Sequence, residues 1–297
     1  MGTVIELDQL MKSYGDVKAV NNVSFSMESN KIYGLLGRNG AGKTTIMHMI
    51  TAQIFATSGR LKVFGEDPYE NNRILSQICF VKESQKYPDI YRVNDVLLTS
   101  ATLFPNWDHD YALSLAEEFR IPLKRRMKKL SRGMLSSVGI IVGLASRAPL
   151  TIFDEPYLGL DAVSRSLFYD RLIEDYSLHP RTIILSTHLI DEVSHLLEHV
   201  MVIDNGSLII NEDAEMLRGR AFNLAGHKDT VEAFITGKEV IHRESFGNLL
   251  SATIIGHLDA SERKEAEASG LELTPVSLQQ LIIYLTNGKN QRVEARV

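Results

Sequence analysis

A glycine-rich stretch with one lysine and two threonines carries the clearest chemistry in this chain. Residues 37–45 read GRNGAGKTT, after an apolar run at residues 32–36 and before a helix-prone segment. Strand, glycine-rich loop and helix in this order are typical of a loop that binds phosphate groups through backbone N–H groups and the positive end of the helix dipole. The predicted phosphate contacts are Gly37, Asn39, Gly40, Ala41, Gly42, Lys43, Thr44 and Thr45.

Polar residues at the ends of later apolar runs could act on such a phosphate. Asp154 and Glu155 directly follow the run at residues 150–153, and His188 follows the run at 182–185. Buried carboxylates without partners are costly, so a metal ion and a water molecule are the expected partners. The hydroxyl of Thr44 suits Mg²⁺, which prefers hard oxygen ligands, and Lys43 supplies a positive charge for the phosphates.

Three further residues could contact a nucleotide. Ser131 is a natural helix N-cap, and with Gly133 it offers a hydroxyl and backbone N–H groups to an anion at the start of an apolar helical segment. Tyr14 lies upstream of the phosphate loop, where its ring could stack on a nucleobase, with ordinary packing as the alternative.

The elements that must position these residues alternate between strands and helices, which predicts an α/β fold. Two strands, at residues 4–10 and 20–27, precede the phosphate loop, and a helical pattern covers residues 93–119. An amphipathic helix is predicted at residues 189–197, and Asn205-Gly206 marks a hairpin. Beyond residue 217 the pattern changes to short segments without catalytic residues. We therefore expect a nucleotide domain at residues 1–217, with a helical subdomain at about 90–147, and a small α/β accessory domain at 218–297.

The composition excludes several classes of protein. The 297 residues are 44% hydrophobic and 23% charged, with a net charge of −5, which argues against a protein that coats nucleic acid. No run approaches the roughly 18 apolar residues of a membrane span, and the N-terminus lacks the pattern of a signal peptide. The single cysteine, Cys79, excludes an intramolecular disulfide and suits a reducing compartment. The expected location is therefore cytoplasmic.

The motifs occur together in an order that resembles the ATP-binding subunits of ABC transporters. The resemblance covers residues 3 to about 217 and rests on GRNGAGKTT at 37–45, LSRGM at 130–134, DE at 154–155, LD at 160–161 and His188. It implies a P-loop NTPase fold with a mixed sheet core, N-terminal antiparallel strands and a helical subdomain. The stretches at 104–108, 146–150 and 184–193 are similar to bacterial ABC-2 exporter cassettes that are encoded beside a GntR-type regulator and linked to antibiotic and envelope stress.

The resemblance also implies ATP and Mg²⁺ as ligands and a role for each site residue. Residues 37–45 match the Walker A loop, and Ser131 and Gly133 match signature positions that bind the nucleotide of an opposite subunit. Further matches are Tyr14 with the adenine-stacking residue, Asp154 with the magnesium-ordering carboxylate, Glu155 with the general base, His188 with the switch histidine, and Asp161 with the dimer seam. The expected partners are membrane permease subunits and a second cassette, in a homodimer or heterodimer that lies on the inner face of the membrane.

Two motifs depart from the family pattern. Arg132 and Met134 stand where the signature motif usually has Gly and Gln, a change that ABC-2 cassettes commonly tolerate. The Q-loop glutamine is replaced as well: the strand at residues 78–81 places Glu83 at its position, with Gln85 two residues further on. Either side chain could approach the magnesium ion, and the strand register favours Glu83.

The leading hypothesis is an ATPase that drives export through separate permease subunits. The alternative is a soluble ABC-type ATPase that acts on nucleic acid or ribosomes, which usually has tandem cassettes or a coiled-coil insertion that this chain lacks. A regulatory module that binds nucleotide without turnover is a third hypothesis. No Asn-Lys-x-Asp guanine-binding motif is present, which argues against a GTPase. The transported substrate is not indicated by the sequence, and no nucleic-acid partner is expected.

Overall fold

The computed structural model describes residues 2–83 and 85–294, and side chains as far as residue 286. Met1, Ser84 and residues 295–297, which fall within the predicted nucleotide and accessory domains, lie outside the described residues. In chain order the strands are β1 (Thr3–Tyr14), β2 (Val17–Glu28), β3 (Ile32–Leu36), β4 (Ser58–Val63), β5 (Ile78–Val81), β6 (Leu150–Asp154), β7 (Thr182–Thr187), β8 (His199–Asp204), β9 (Ser207–Asp213), β10 (Ala221–His227), β11 (Glu239–Phe246), β12 (Leu249–Ile255) and β13 (Glu272–Pro275). The helices are α1 (Lys43–Ile50), α2 (Asn72–Leu75), α3 (Val93–Leu103), α4 (His109–Glu118), α5 (Arg132–Ser146), α6 (Ala162–Leu178), α7 (Ile190–Val193), α8 (Ala214–Leu217), α9 (Lys228–Ile235), α10 (Ala260–Ala268) and α11 (Leu278–Glu294).

A central sheet brings the predicted site residues to one edge. Its strand order is β5-β6-β7-β3-β8-β9, and the pairs β5–β6, β6–β7, β7–β3 and β3–β8 are parallel. Strands β3, β6 and β7 are buried along their whole length, as expected for parallel strands that are covered on both faces. Because the carboxyl ends of parallel strands meet at the same edge, the residues that follow β3, β5, β6 and β7 lie close together.

The two predicted N-terminal strands, β1 and β2, pair with each other and with β4 in an antiparallel sheet of order β2-β1-β4. Its alternating side chains share one hydrophobic core with α1 and the central strands, and Leu10, Met27, Ile46 and Met201 are fully buried in it. The helices α3, α4 and α5 follow β5, where the sequence predicts a helical subdomain. Among the described residues, no helix is long and apolar enough to cross a membrane.

The chain separates into two compact units. One contains the residues up to His188 together with Leu196–Asn211, and the other contains Leu189–His195 together with the chain from Glu212 onwards. The second unit has an antiparallel sheet of order β11-β12-β10-β13, whose core includes Leu224, Val231 and Ile254. Within it, Asp191 of α7 accepts hydrogen bonds from the Ser277 hydroxyl at 3.2 Å and the Gln279 N–H at 3.3 Å.

The predicted helix at residues 189–197 is wrong in its length. Helix α7 covers only Ile190–Val193, although Leu196 and Leu197 are buried as their spacing predicts. The Glu198 N–H donates to the Ile32 carbonyl oxygen at 3.0 Å, and strand β8 begins one residue later. The chain must therefore leave the helix early in order to join β3. The hairpin prediction is confirmed, since Asn205 and Gly206 both have positive φ between β8 and β9.

Candidate nucleotide-binding and catalytic site

The phosphate loop lies between β3 and α1, as its sequence predicts. Gly37 has a φ of 146°, and a Cβ at this position would lie 2.2 Å from the Ile203 carbonyl oxygen. The glycine is therefore required by the neighbouring strand β8, in addition to any ligand. The loop borders a cavity of about 350 Å³, which is lined by Ala19, Asn39, Gly40, Ala41, Gly42, Lys43, Thr44, Thr45, Glu83, Asp154 and Glu155.

Lys43 brings a buried positive charge to this cavity. Its ammonium group donates to the carbonyl oxygens of Gly37 at 2.7 Å and Arg38 at 3.2 Å, and it lies 3.9 Å from Glu155 Oε1. Burial lowers the pKa of Lys43, whereas Glu155 and Asp154 oppose this change. A charge that is so poorly solvated interacts strongly with any anion in the cavity.

Asp154 and Thr44 form the part of the site that suits a hard cation. The Thr44 hydroxyl donates to Asp154 Oδ2 at 2.9 Å. Within the described residues, Asp154 Oδ1 and Glu155 Oε1 are buried without a hydrogen-bond partner. Buried carboxylate oxygens without hydrogen bonds are costly, and a bound cation or water would satisfy them. The described residues contain no group of three or more His, Cys, Asp or Glu that could hold a metal ion. An ion here therefore needs hydroxyl, water or phosphate oxygens as well.

Glu155 and His188 lie next to each other at the ends of β6 and β7. His188 Nδ1 is 3.0 Å from Glu155 Oε2, and Glu155 is 7% exposed. Burial raises the pKa of Glu155, whereas the hydrogen bond from His188 and the charge of Lys43 lower it. Glu155 also has a left-handed backbone with a φ of 50°, which its N–H supports by donating to the Ser186 carbonyl oxygen at 3.0 Å. Backbone strain of this kind is common at functional sites.

The two candidates for the Q-loop position lie in different places. Glu83 lines the phosphate cavity, whereas Gln85 lines a second cavity of about 260 Å³, to which Glu83 also contributes. Arg132 Nη2 donates to Glu83 Oε1 at 3.3 Å. Two of the residues that depart from the family pattern, Arg132 and Glu83, therefore form an ion pair with each other.

The signature residues lie outside the phosphate cavity of their own chain. Ser131 caps α5 by accepting a hydrogen bond from the Met134 N–H at 3.2 Å. A Cβ at Gly133 would lie 2.4 Å from the Gly159 carbonyl oxygen, so this glycine allows the loop after β6 to pack against α5. Asp161 caps α6 through the Ser164 N–H, and this hydrogen bond lowers the pKa of Asp161. Neither Ser131 nor Gly133 is among the described residues that line the phosphate cavity.

Tyr14 is the last residue of β1 and is half exposed. The Lys12 ammonium group lies over its ring, 5.0 Å from the ring centre. Tyr14 is not among the described residues that line the phosphate cavity. Two other residues at the site are missing from the sequence analysis: Ala19 lines the cavity, and Tyr157 contacts Glu155 and His188. The position of Tyr157, two residues after the carboxylate pair, was the only available signal for its role.

Comparison with known proteins places this site in a family. A family model for ABC transporters matches residues 20–158. The bacitracin transport ATP-binding protein BcrA of Bacillus licheniformis is 32% identical over 213 residues, which cover 70% of this chain and 69% of that protein. This chain belongs to the ATP-binding subunits of ABC transporters. Members of this family bind and hydrolyse ATP, and they pair with one another and with membrane permeases.

Two further similarities extend along the chain and across the fold. The ABC transporter ATP-binding protein YtrB of Bacillus subtilis strain 168 is 24% identical over 291 residues, which cover 97% of this chain and all of that protein. A solved structure of the ATP binding subunit of an ABC transporter has a TM-score of 0.66 and 23% identity, and it covers 72% of this chain and 92% of its own. These similarities confirm the predicted ABC fold class.

Proposed function

We propose that this ABC subunit hydrolyses MgATP in a head-to-tail dimer and so drives export through separate permease subunits on the inner face of the membrane. The observation that supports a dimer is that two sets of motif residues lie apart within one chain. Lys43, Asp154 and Glu155 surround the phosphate cavity, whereas Ser131 and Gly133 lie outside it. A second copy that supplies its signature residues would complete each site.

Each residue of the first motif set has a role in this proposal, and the geometry supports those of the residues that line the phosphate cavity. Residues 37–45 cradle the phosphates, and Lys43 neutralises their charge. Tyr14 stacks on the adenine, a role that rests on the family resemblance. Thr44, Asp154 and Glu83 would hold Mg²⁺, which supplies charge neutralisation to the bound polyphosphate. Glu155 orients the attacking water and accepts its proton, because burial makes this carboxylate a stronger base.

His188 and the second motif set complete the proposed site. His188 interacts with the γ-phosphate while Glu155 holds its Nδ1 atom. Ser131 and Gly133 of the opposite copy contact the same phosphate. Positioning and charge stabilisation provide most of the rate in phosphoryl transfer, so the loss of either set should remove nearly all turnover.

The names of several relatives support export of antibiotics or envelope compounds. They include BcrA and the lantibiotic transport ATP-binding protein SrtF of Streptococcus pyogenes, which is 29% identical over 221 residues. We place the chain among ABC-2 cassettes encoded beside a GntR-type regulator on the basis of the stretches at residues 104–108, 146–150 and 184–193. Neighbouring genes for a permease and such a regulator would support this assignment, and their absence would contradict it. Residues 218–297 are proposed to form an accessory domain.

Subunit complementation tests the composite site. In a head-to-tail dimer, Lys43→Ala damages one motif set and Ser131→Arg damages the other, so each variant alone should be inactive. A mixed dimer contains one site with Lys43 from one chain and Ser131 from the other. Random exchange of equal amounts should therefore restore about a quarter of the wild-type turnover, because half of the dimers gain one of their two sites.

The control is a mixture of two separate preparations of Lys43→Ala, which should stay inactive. If the mixture of Lys43→Ala and Ser131→Arg also stays inactive while the wild-type chain turns over ATP, the composite site is wrong. If Ser131→Arg alone retains wild-type turnover, Ser131 has no role in hydrolysis.

A further inference from the structure

The hydroxyl of Tyr157 lies where the proposed base and the switch histidine meet. It contacts Glu155 Oε2, and it is 2.9 Å from His188 Nδ1, 3.1 Å from Thr187 Oγ1 and 3.3 Å from the His188 backbone nitrogen. The Tyr157 side chain is 3% exposed, and its ring packs edge-on against the His188 imidazole with 5.7 Å between ring centres. A phenylalanine would fill the same space, so the hydroxyl is the part of Tyr157 that suggests a role beyond packing.

With Glu155 ionised, the donors and acceptors in this cluster allow one consistent arrangement. A phenol has one proton to donate, and the carboxylate can only accept, so the Tyr157 hydroxyl donates its hydrogen bond to Glu155 Oε2. The phenol oxygen then accepts from the Thr187 hydroxyl and the His188 N–H. His188 Nδ1 is within hydrogen-bond distance of Glu155 Oε2 and the Tyr157 oxygen, which both act as acceptors. Nδ1 must therefore carry a proton.

This arrangement selects one tautomer of His188. With the proton on Nδ1, Nε2 is the nitrogen left to interact outside the cluster. It accepts a hydrogen bond in the neutral ring, and it donates one to a γ-phosphate oxygen when the ring is protonated. The Glu155 carboxylate is held at the same time, since Oε2 receives hydrogen bonds from both Tyr157 and His188. Hydrogen bonds to a charged acceptor are among the stronger ones in proteins.

We propose that Tyr157 is a positioning residue of the ATPase site, whose hydroxyl orients the Glu155 carboxylate and fixes the Nδ1–H tautomer of His188. The proposal rests on the roles proposed above for Glu155 and His188. Tyr157 acts through these two residues, and it has no contact of its own with the phosphate loop among the described contacts. The supporting observation is that one atom, the Tyr157 hydroxyl oxygen, contacts Glu155 after β6 and His188 after β7.

The decisive variant is Tyr157→Phe, which keeps the ring and removes the hydroxyl. We expect kcat for ATP to fall about tenfold to a hundredfold, since one hydrogen bond to a charged group is lost from the oriented base. The KM for ATP should stay within about threefold, because the contacts of the phosphate loop do not change. Tyr176→Phe is the matched control. The Tyr176 hydroxyl lies within hydrogen-bond distance of the Asn30 carbonyl oxygen and Glu198, away from the cluster, so turnover should not change.

Two companion variants separate this proposal from the proposed function. Glu155→Gln and His188→Ala should each lower kcat more than Tyr157→Phe does. If they do and Tyr157→Phe keeps the wild-type kcat, the positioning role is wrong while the site assignment stands. If Glu155→Gln itself has wild-type turnover, the site assignment is wrong. A rise in KM with unchanged kcat for Tyr157→Phe would also contradict the proposal.

A spectroscopic measurement tests the tautomer without changing Tyr157. The wild-type protein, labelled with ¹⁵N-histidine, gives a pair of imidazole signals that disappear in the His188→Gln variant. At a pH at which the ring is neutral, these signals should report a protonated Nδ1 and an unprotonated Nε2. The opposite tautomer in the wild-type protein would overturn the proposal, even if Tyr157→Phe failed to fold.

Discussion

The difference between two glycines of the phosphate loop provides a quantitative test of the structure. Gly37 and Gly40 both have positive φ, at 146° and 81°, which an alanine adopts at a cost of about 1–2 kcal/mol. A Cβ at Gly37 would also lie 2.2 Å from the Ile203 carbonyl oxygen, whereas a Cβ at Gly40 has no atom within 4 Å among the described residues. Forcing an extra methyl group against a backbone atom adds about 1–3 kcal/mol.

Gly37→Ala should therefore destabilise the protein by about 2–5 kcal/mol and Gly40→Ala by about 1–2 kcal/mol. For a unit of this size, the Tm of Gly37→Ala should lie roughly 2–12 °C below that of Gly40→Ala. Thermal unfolding without nucleotide, followed by circular dichroism, measures this difference. ATP binding does not separate the variants, because Gly40 lines the phosphate cavity and its substitution also affects the ligand. Equal Tm values, or a lower Tm for Gly40→Ala, would refute the packing of the loop against β8.

Three other predictions concern stability, reactivity and metal binding. Arg181→Met removes the partner of the buried Asp175 at 2.7 Å and leaves Arg147 at 3.3 Å, so it should cost about 1–3 kcal/mol in urea unfolding. Arg60→Met at an exposed pair should leave the midpoint unchanged. Equal midpoints for the two variants would contradict the burial of the first pair. Burial raises the pKa of Cys79 to about 11, so at mildly alkaline pH its thiol should be less ionised than that of a free cysteine. Cys79 should therefore react with a disulfide reagent only after unfolding. Rapid reaction of the folded protein would contradict this prediction. Thr44→Val removes the hydroxyl that donates to Asp154 and should raise the Mg²⁺ concentration for half-maximal turnover by about 10–100-fold; an unchanged Mg²⁺ requirement would exclude Thr44 from the metal site.

The phosphate loop could be predicted because its geometry is encoded in a few consecutive residues. Strand, glycine turns and helix start are all local, so residues 37–45 indicate both the fold and the ligand. The need for glycine at position 37 also has a cause outside this loop. The sequence predicts that glycine leaves room for phosphate, and the structure adds the Ile203 carbonyl oxygen, more than 160 residues away in the chain. Pairing between β3 and β8 creates this contact, and no short sequence pattern predicts it.

The features that sequence analysis missed also depend on contacts between distant strands. Tyr157 follows a proline in a loop, where its type and position favour packing. Its hydroxyl contacts His188 only because β7 pairs with β6 and brings His188 close. The helix predicted at residues 189–197 had the correct buried face but the wrong length, because Glu198 pairs with Ile32 of β3. The sequence leaves the choice between Glu83 and Gln85 open, and the structure adds that, of the two, Glu83 lines the phosphate cavity. In each case the contacts depend on the pairing of strands that are distant in the sequence.

Replacement of Glu155 by glutamine tests the catalytic account most directly. The variant keeps the shape of the side chain and removes the carboxylate that lies 3.0 Å from His188 and 3.9 Å from Lys43. ATP turnover in the presence of Mg²⁺ should fall by about 10²–10⁴-fold, the usual contribution of a general base, while ATP binding is retained. The exposed Glu117→Gln on α4 is the matched control and should have wild-type turnover. Undiminished turnover by Glu155→Gln would contradict the proposed mechanism.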